Sequence, residues 1–168
     1  MSDSSQRSSL DIPKTSVERI WDGLGYGMFI CSIGLLILLW NKLPARVPAH
    51  FNALGEVDRW GGKGELLILP AIGLLLIISM QALEKFPQMH NYPERLNESN
   101  AAQFYLNSRK LVNQLKNICL IIFALILVES IWISLEWGKG FGKWFIPVFL
   151  IATLAPIGIA LWERSKIK

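Results

Sequence analysis

Cysteine and histidine are scarce in this chain, two of each in 168 residues, and the scarcity excludes several chemistries. Cys31 and Cys119 both fall inside apolar runs, away from any oxidising aqueous loop, so no disulfide framework is indicated and small packing residues are the default reading. Neither H-E-x-x-H nor C-x-x-C occurs, and zinc favours clustered His and Cys that the chain does not offer. No metal and no cofactor are expected. There is no G-x-S-x-G elbow, no phosphate-binding glycine loop and no carboxylate pair whose spacing specifies acid–base work. The chain is therefore not expected to be an enzyme.

Charge is also thin, at 18% of residues, and unevenly placed. Four windows, at about 23–41, 66–83, 117–136 and 144–162, carry none apart from Glu129 inside the third and Glu136 at its end. At about 1.5 Å of rise per residue, a helix of this length covers the roughly 30 Å hydrocarbon core of a bilayer. Lipid admits only helices and closed barrels, and these runs lack the polar alternation of barrel strands. The first run is too long for a signal h-region and follows a long polar stretch, so a retained helix is expected. The expected fold class is all-α, an integral-membrane four-helix bundle spanning 21–168 behind a cytoplasmic, mobile polar tail at 1–20.

The net charge of +4 does not require nucleic acid as a partner, because Lys and Arg divide unequally across the bilayer. Four spans place both termini on one face with the middle loop. That face collects eleven cations: Arg7, Lys14, Arg19, Lys85, Arg95, Arg109, Lys110, Lys116, Arg164, Lys166 and Lys168. The other face holds six: Lys42, Arg46, Arg59, Lys63, Lys139 and Lys143. By the positive-inside rule, both termini and the middle loop are expected in the cytoplasm of a multi-pass cell (inner) membrane protein. Trp21 and Trp162 mark the cytoplasmic ends of spans, and Trp40, Trp137 and Trp144 the outer ends, as interfacial rings should.

Within the spans, Gly23 and Gly27 stand four apart, the small-xxx-small spacing that lets helix backbones approach in lipid. Pro70, Pro147 and Pro156 are expected to kink their helices. The cytoplasmic segment 84–116 is expected to hold a helix from about 99 with Ala102, Tyr105, Leu106, Leu111 and Leu115 at helical spacing, capped by Ser99 or Asn100 and running into the third span. Asn97-Glu98-Ser99 fits a glycosylation acceptor, but the loop carrying it is assigned to the cytoplasm.

The outer loop at 43–64 is far more particular than a connector needs to be. Pro44 and Pro48 favour an extended backbone or a polyproline turn, and the glycines of "NALG" and "WGGK" supply turns. Phe51, Val57 and Trp60 let the loop lie on the bundle as an ordered cap. His50, Asn52, Asp58, Arg59 and Lys63 give it a mixed set of donors and acceptors. The stretch "LPARVPAHFNALGEVDRWGGKGELLILP" resembles the signature of a bacterial membrane domain of unknown function shared with SdpI-type toxin immunity proteins. It is carried by Leu43, Pro44, Pro48, His50, Phe51, Asn52, Gly55, Asp58, Trp60, Gly61, Lys63 and Pro70. Asn91-Tyr92-Pro93, then Asn100-Ala101 with Tyr105, resemble the same family's middle loop. The resemblance implies a multi-spanning protein, with immunity or envelope signalling known for some members.

Glu129 is the other anomaly, since a carboxylate at depth costs about 2.5–3.5 kcal/mol on insertion scales and faces a partner in the bundle. Trp132 and Glu136 follow at i+3 and i+7, which places all three on one helical face. Arg59, Lys63 or His50 would meet Glu129 or Glu136 if the cap folds down. The candidate binding residues are therefore His50, Asn52, Asp58, Arg59, Lys63, Glu129 and Glu136. Three functions remain open from the sequence. One is a receptor-like, immunity or envelope-signalling protein, whose cap binds a secreted peptide or another envelope ligand. The second is a proton- or ligand-coupled transporter component built on Glu129. The third is a structural subunit, whether a homo-oligomer or bound to a larger membrane partner. The lipid bilayer is the common partner in all three.

Overall fold

A computed structural model describes residues 9–168. Residues 1–8, with Arg7 among them, lie outside the described residues. Four helices are long and apolar enough to cross a membrane: α1 (Ser16–Leu39), α2 (Ile68–Lys85), α3 (Ala101–Ser134) and α4 (Phe145–Lys166). The fold is that of an all-α, multi-pass bundle, and α3 is its hub, packing against α1, α2 and α4.

α1 starts earlier than the apolar window because Thr15 and Glu18 form a capping box: the Thr15 hydroxyl accepts from the Glu18 N–H, and the Glu18 carboxylate accepts from the Thr15 N–H at 2.7 Å. The described part of the expected tail packs against the helices. Its Ile12 packs with Ala101, Phe104 and Tyr105, and we call residues 9–15 the strap. At α3 Asn100 is the N-cap residue, as expected, but its side chain makes no capping bond to the helix. Asn97 Oδ1 accepts from Ser99 N–H at 2.9 Å and Asn100 N–H at 3.3 Å, while Asn100 Oδ1 accepts from Asn97 N–H at 2.8 Å. The apparent glycosylation triplet is part of a side-chain-bonded turn that leads into α3.

The prolines divide by position. Pro70 and Pro147 lie in the first turns of α2 and α4, where the N–H has little intrahelical use, and Pro156 lies inside α4. The close helix contacts also use different glycines from the expected pair. A Cβ added at Gly23 or Gly27 would have nothing within 4 Å, whereas one at Gly25 would lie 2.3 Å from Asn117 Oδ1 and one at Gly73 would lie 2.2 Å from the Phe29 ring. Helix α1 thus meets α3 at Gly25 and α2 at Gly73.

The outer loop is a two-stranded antiparallel hairpin, β1 (Arg46–Phe51) and β2 (Val57–Gly62), pairing Arg46 with Gly62 and Phe51 with Val57 through an irregular register around His50. It is anchored by fully buried Val47, which joins Leu36, Leu43, Leu66, Leu127 and Ile131 in one apolar cluster. Its turn is clamped from above α3. The Gly55 carbonyl accepts from Phe141 N–H at 3.2 Å, and Phe51 meets the Phe141 ring edge-on at 5.4 Å. Gly55 holds φ 75°, and a side chain there would strike the Gly142 backbone at 2.6 Å. The hairpin and the α3–α4 loop therefore form one cap at one end of the bundle. The strap, the 86–100 segment and the C-terminus meet at the other, where Asn100 Nδ2 donates to the Lys168 carbonyl at 3.0 Å.

Candidate functional site

Most of the polar groups expected to bind a ligand at the cap hold the cap itself together. Asn52 Oδ1 accepts from Leu54 N–H at 2.9 Å and Glu56 N–H at 3.1 Å, shaping the hairpin turn. Arg59 donates to the Ala49 carbonyl at 3.1 Å and pairs with Glu65 at 3.0 Å. Lys63 lies 4.6 Å over the Trp40 ring. His50 Nδ1 sits 2.6 Å from Asp58 Oδ1 on the exposed edge of the hairpin.

Neither outer carboxylate meets the cap's cations. Glu129 Oε1 accepts from the Gly140 backbone N–H at 2.9 Å, so its partner is the α3–α4 loop. Glu136 is exposed and off the helix: α3 ends at Ser134, and Glu136 takes φ 62°, the left-handed conformation that closes helix C-termini. Glu129, Trp132 and Glu136 do not share one helical face. The structure brings His50 and Asp58 together and leaves Glu129 and Glu136 apart from them.

Beneath the hairpin lies a cavity of about 300 Å³. Its walls are β1, Leu66 of the turn before α2, the start of α2 (Ile68, Leu69), α3 at Ile126 and Ser130, and the start of α4 (Phe145, Ile146). Its polar lining is limited to His50, Asn52, Glu65 and Ser130. An apolar chamber with a few polar groups on one side suits an amphiphile or an apolar side chain.

The larger surprise lies at the other end. Glu18, Asp22, Glu84, Arg109, Asn113, Lys116 and Asn117 converge where α1, α2 and α3 meet, and all but Asp22 are buried. Lys116 Nζ lies 3.0 Å from Asp22 Oδ1 and 2.6 Å from Glu84 Oε1; Lys14 Nζ lies 2.6 Å from Asp22 Oδ2 and 3.1 Å from Glu84 Oε2. Two ammonium groups and two carboxylates alternate in a closed ring. Asn113 Nδ2 donates to both carboxylates, and Asn117 Nδ2 adds a bond to Asp22 Oδ1 at 2.9 Å. Beside the ring, Arg109 grips Glu18 with Nε to Oε1 at 2.9 Å and Nη2 to Oε2 at 3.2 Å, and donates also to the Ile12 and Pro13 carbonyls of the strap. Burial alone would lower the Lys14 pKa, but its hydrogen bonds to Asp22 and Glu84 outweigh that and hold it above its ordinary 10.5.

Sequence reasoning counted Lys14, Arg109 and Lys116 only as loop cations. Two signals would have found the ring. One is the i, i+4, i+7, i+8 spacing of Arg109, Asn113, Lys116 and Asn117; the other is the i, i+4 spacing of Glu18 and Asp22.

Residues 27–74 match the model of a family described as a domain of unknown function, DUF1648. The match takes in most of α1, the hairpin and the start of α2, and leaves the ring outside it. An uncharacterized protein of Archaeoglobus fulgidus is 30% identical over 134 residues, 77% of this chain. The chain spans 58% of that relative's length. No solved structure matches the chain.

Proposed function

We propose that this protein is a receptor-like membrane protein of the immunity or envelope-signalling kind, with no catalytic activity. It recognises an envelope ligand with its hairpin cap, and its two termini lie in the cytoplasm of the cell membrane. The observation that carries this reading is the apolar cavity roofed by the hairpin. An ordered cap of two interlocked loops over an apolar concavity with a few polar groups in its wall is a binding architecture. The excess of Lys and Arg at the strap end and the SdpI-type resemblance of the 43–70 stretch support the orientation and the class of role.

The test has two parts. A single cysteine at Leu54, which is exposed on the hairpin turn, in a Cys31→Ala, Cys119→Ala background should react with a membrane-impermeant thiol reagent in intact cells. Reaction only after the cells are opened would overturn the orientation. Native mass spectrometry of the purified protein should then show retained apolar-chain ligand, lost in Ile126→Trp, which fills the cavity, and kept in Ile78→Trp on the exposed flank of α2. Equal retention in both variants would overturn the recognition role.

A further inference from the structure

Of the two cations in the buried ring, one is built in and the other is delivered. Lys116 belongs to α3 and its side chain is 0% exposed; Lys14 reaches in from the strap and its side chain is 38% exposed. The position that Lys14 Nζ fills is otherwise made by the three helices: Asp22 Oδ2 from α1, Glu84 Oε2 from α2, and Asn113 of α3 bridging the same two carboxylates. A cleft of about 420 Å³ reaches this position, with Lys14, Glu84 and Arg109 in its wall together with Gln81 and Lys85 of α2.

We infer that the Asp22–Glu84 pocket is a recognition site for a primary ammonium group, occupied here by Lys14 and open from the cleft to a free alkylammonium ligand that displaces the lysine side chain. The chemistry favours an ammonium over a metal ion. Both carboxylates sit at N–H···O distances from Lys14 Nζ, and Asn113 turns an N–H donor to them, which cannot ligate a metal. Magnesium and calcium need about six oxygens, and the fixed Lys116 charge stands against a second positive charge. Charge balance sets the valence. Lys14, Arg109 and Lys116 match Glu18, Asp22 and Glu84 one for one, so a single positive charge replacing Lys14 keeps the buried cluster neutral. A quaternary ammonium has no N–H to donate and does not fit.

The ligand is either a soluble amine or the amino headgroup of a lipid, since Asp22, Glu84 and Lys116 stand at the ends of the uncharged windows of α1, α2 and α3. A tethered lysine competes at an effective concentration of about millimolar, so ethylammonium at roughly 100 mM prevails over it. In the full chain carrying ¹³C-lysine, the Lys14 Cε resonance, assigned by its loss in Lys14→Met, should move towards its solvent position with ethylammonium chloride. It should stay fixed with tetramethylammonium chloride at equal ionic strength. Lys14→Met removes the tethered competitor and keeps Asp22, Glu84 and Asn113, and its thermal midpoint should rise with ethylammonium by several degrees more than wild type. The same response to both salts in both proteins would overturn the inference. Repeating the resonance measurement in bilayers of phosphatidylethanolamine and of phosphatidylcholine separates the sources: a shift confined to the former assigns a lipid headgroup, and a shift produced only by the soluble amine assigns a free ligand.

Discussion

At the scale of single residues, the stability of the inner end rests on paired charge. Lys116 is fully buried between Asp22 and Glu84, and removing one member of such a group strands the others. Lys116→Met is expected to cost about 3–5 kcal/mol, read as a lower unfolding midpoint in detergent. Lys116→Met with Glu84→Gln should recover part of that loss, because the second change removes the negative charge left in excess over Lys14. His90 sets a pH dependence. Its Nε2 lies 3.0 Å from the Leu83 carbonyl and its Nδ1 2.6 Å from Ser108 Oγ, which suits a neutral ring donating to the first and accepting from the second. Burial pushes its pKa below the ordinary 6.5; the hydrogen bond to Leu83 opposes this, and the Arg164 charge adds to it. The unfolded chain therefore takes up a proton first as pH falls, so the stability is full above about 6.5 and is lost below it until the folded-state value is reached. Wild type should lose more thermal stability than His90→Gln between about pH 7.5 and 5.5.

Helices and strands show a different division. Gly73 receives the Phe29 ring, and Gly27 faces open space. Gly73→Leu should therefore separate α1 from α2 and destabilise the fold by about 1–3 kcal/mol or more, whereas Gly27→Leu should leave the midpoint unchanged; a thermal scan of both variants checks the pair. The spacing of Gly23 and Gly27 was legible in the sequence, but spacing does not say which face of α1 meets a neighbour. Helix α3 gives the same lesson. Of its expected apolar face Tyr105 is fully buried and Leu106, Leu111 and Leu115 are only partly so, whereas the polar Asn113, Lys116 and Asn117 are fully buried. At the strap end of the bundle, complementary charges from α1 and α2 make the polar face the interior one, and those partners are 29 and more residues away in the chain.

For the whole molecule, the cap and the strap sit at opposite ends of the bundle. A single cysteine at Leu54 and another at Gln103, both exposed, should react with an impermeant reagent from opposite sides of a sealed membrane. Labelling of both from one side would refute the four-span topology. The sequence by itself determined the four long apolar helices and the ordered character of the 43–64 loop, because runs without charge and Pro–Gly turns act locally. Only the tertiary structure decided the hairpin register, the backbone partner of Glu129 and the ring of Lys14, Asp22, Glu84 and Lys116. Each of these is a contact between segments distant in the chain. A charge's partner, unlike its hydropathy, is fixed only when the helices that carry the pair are packed together.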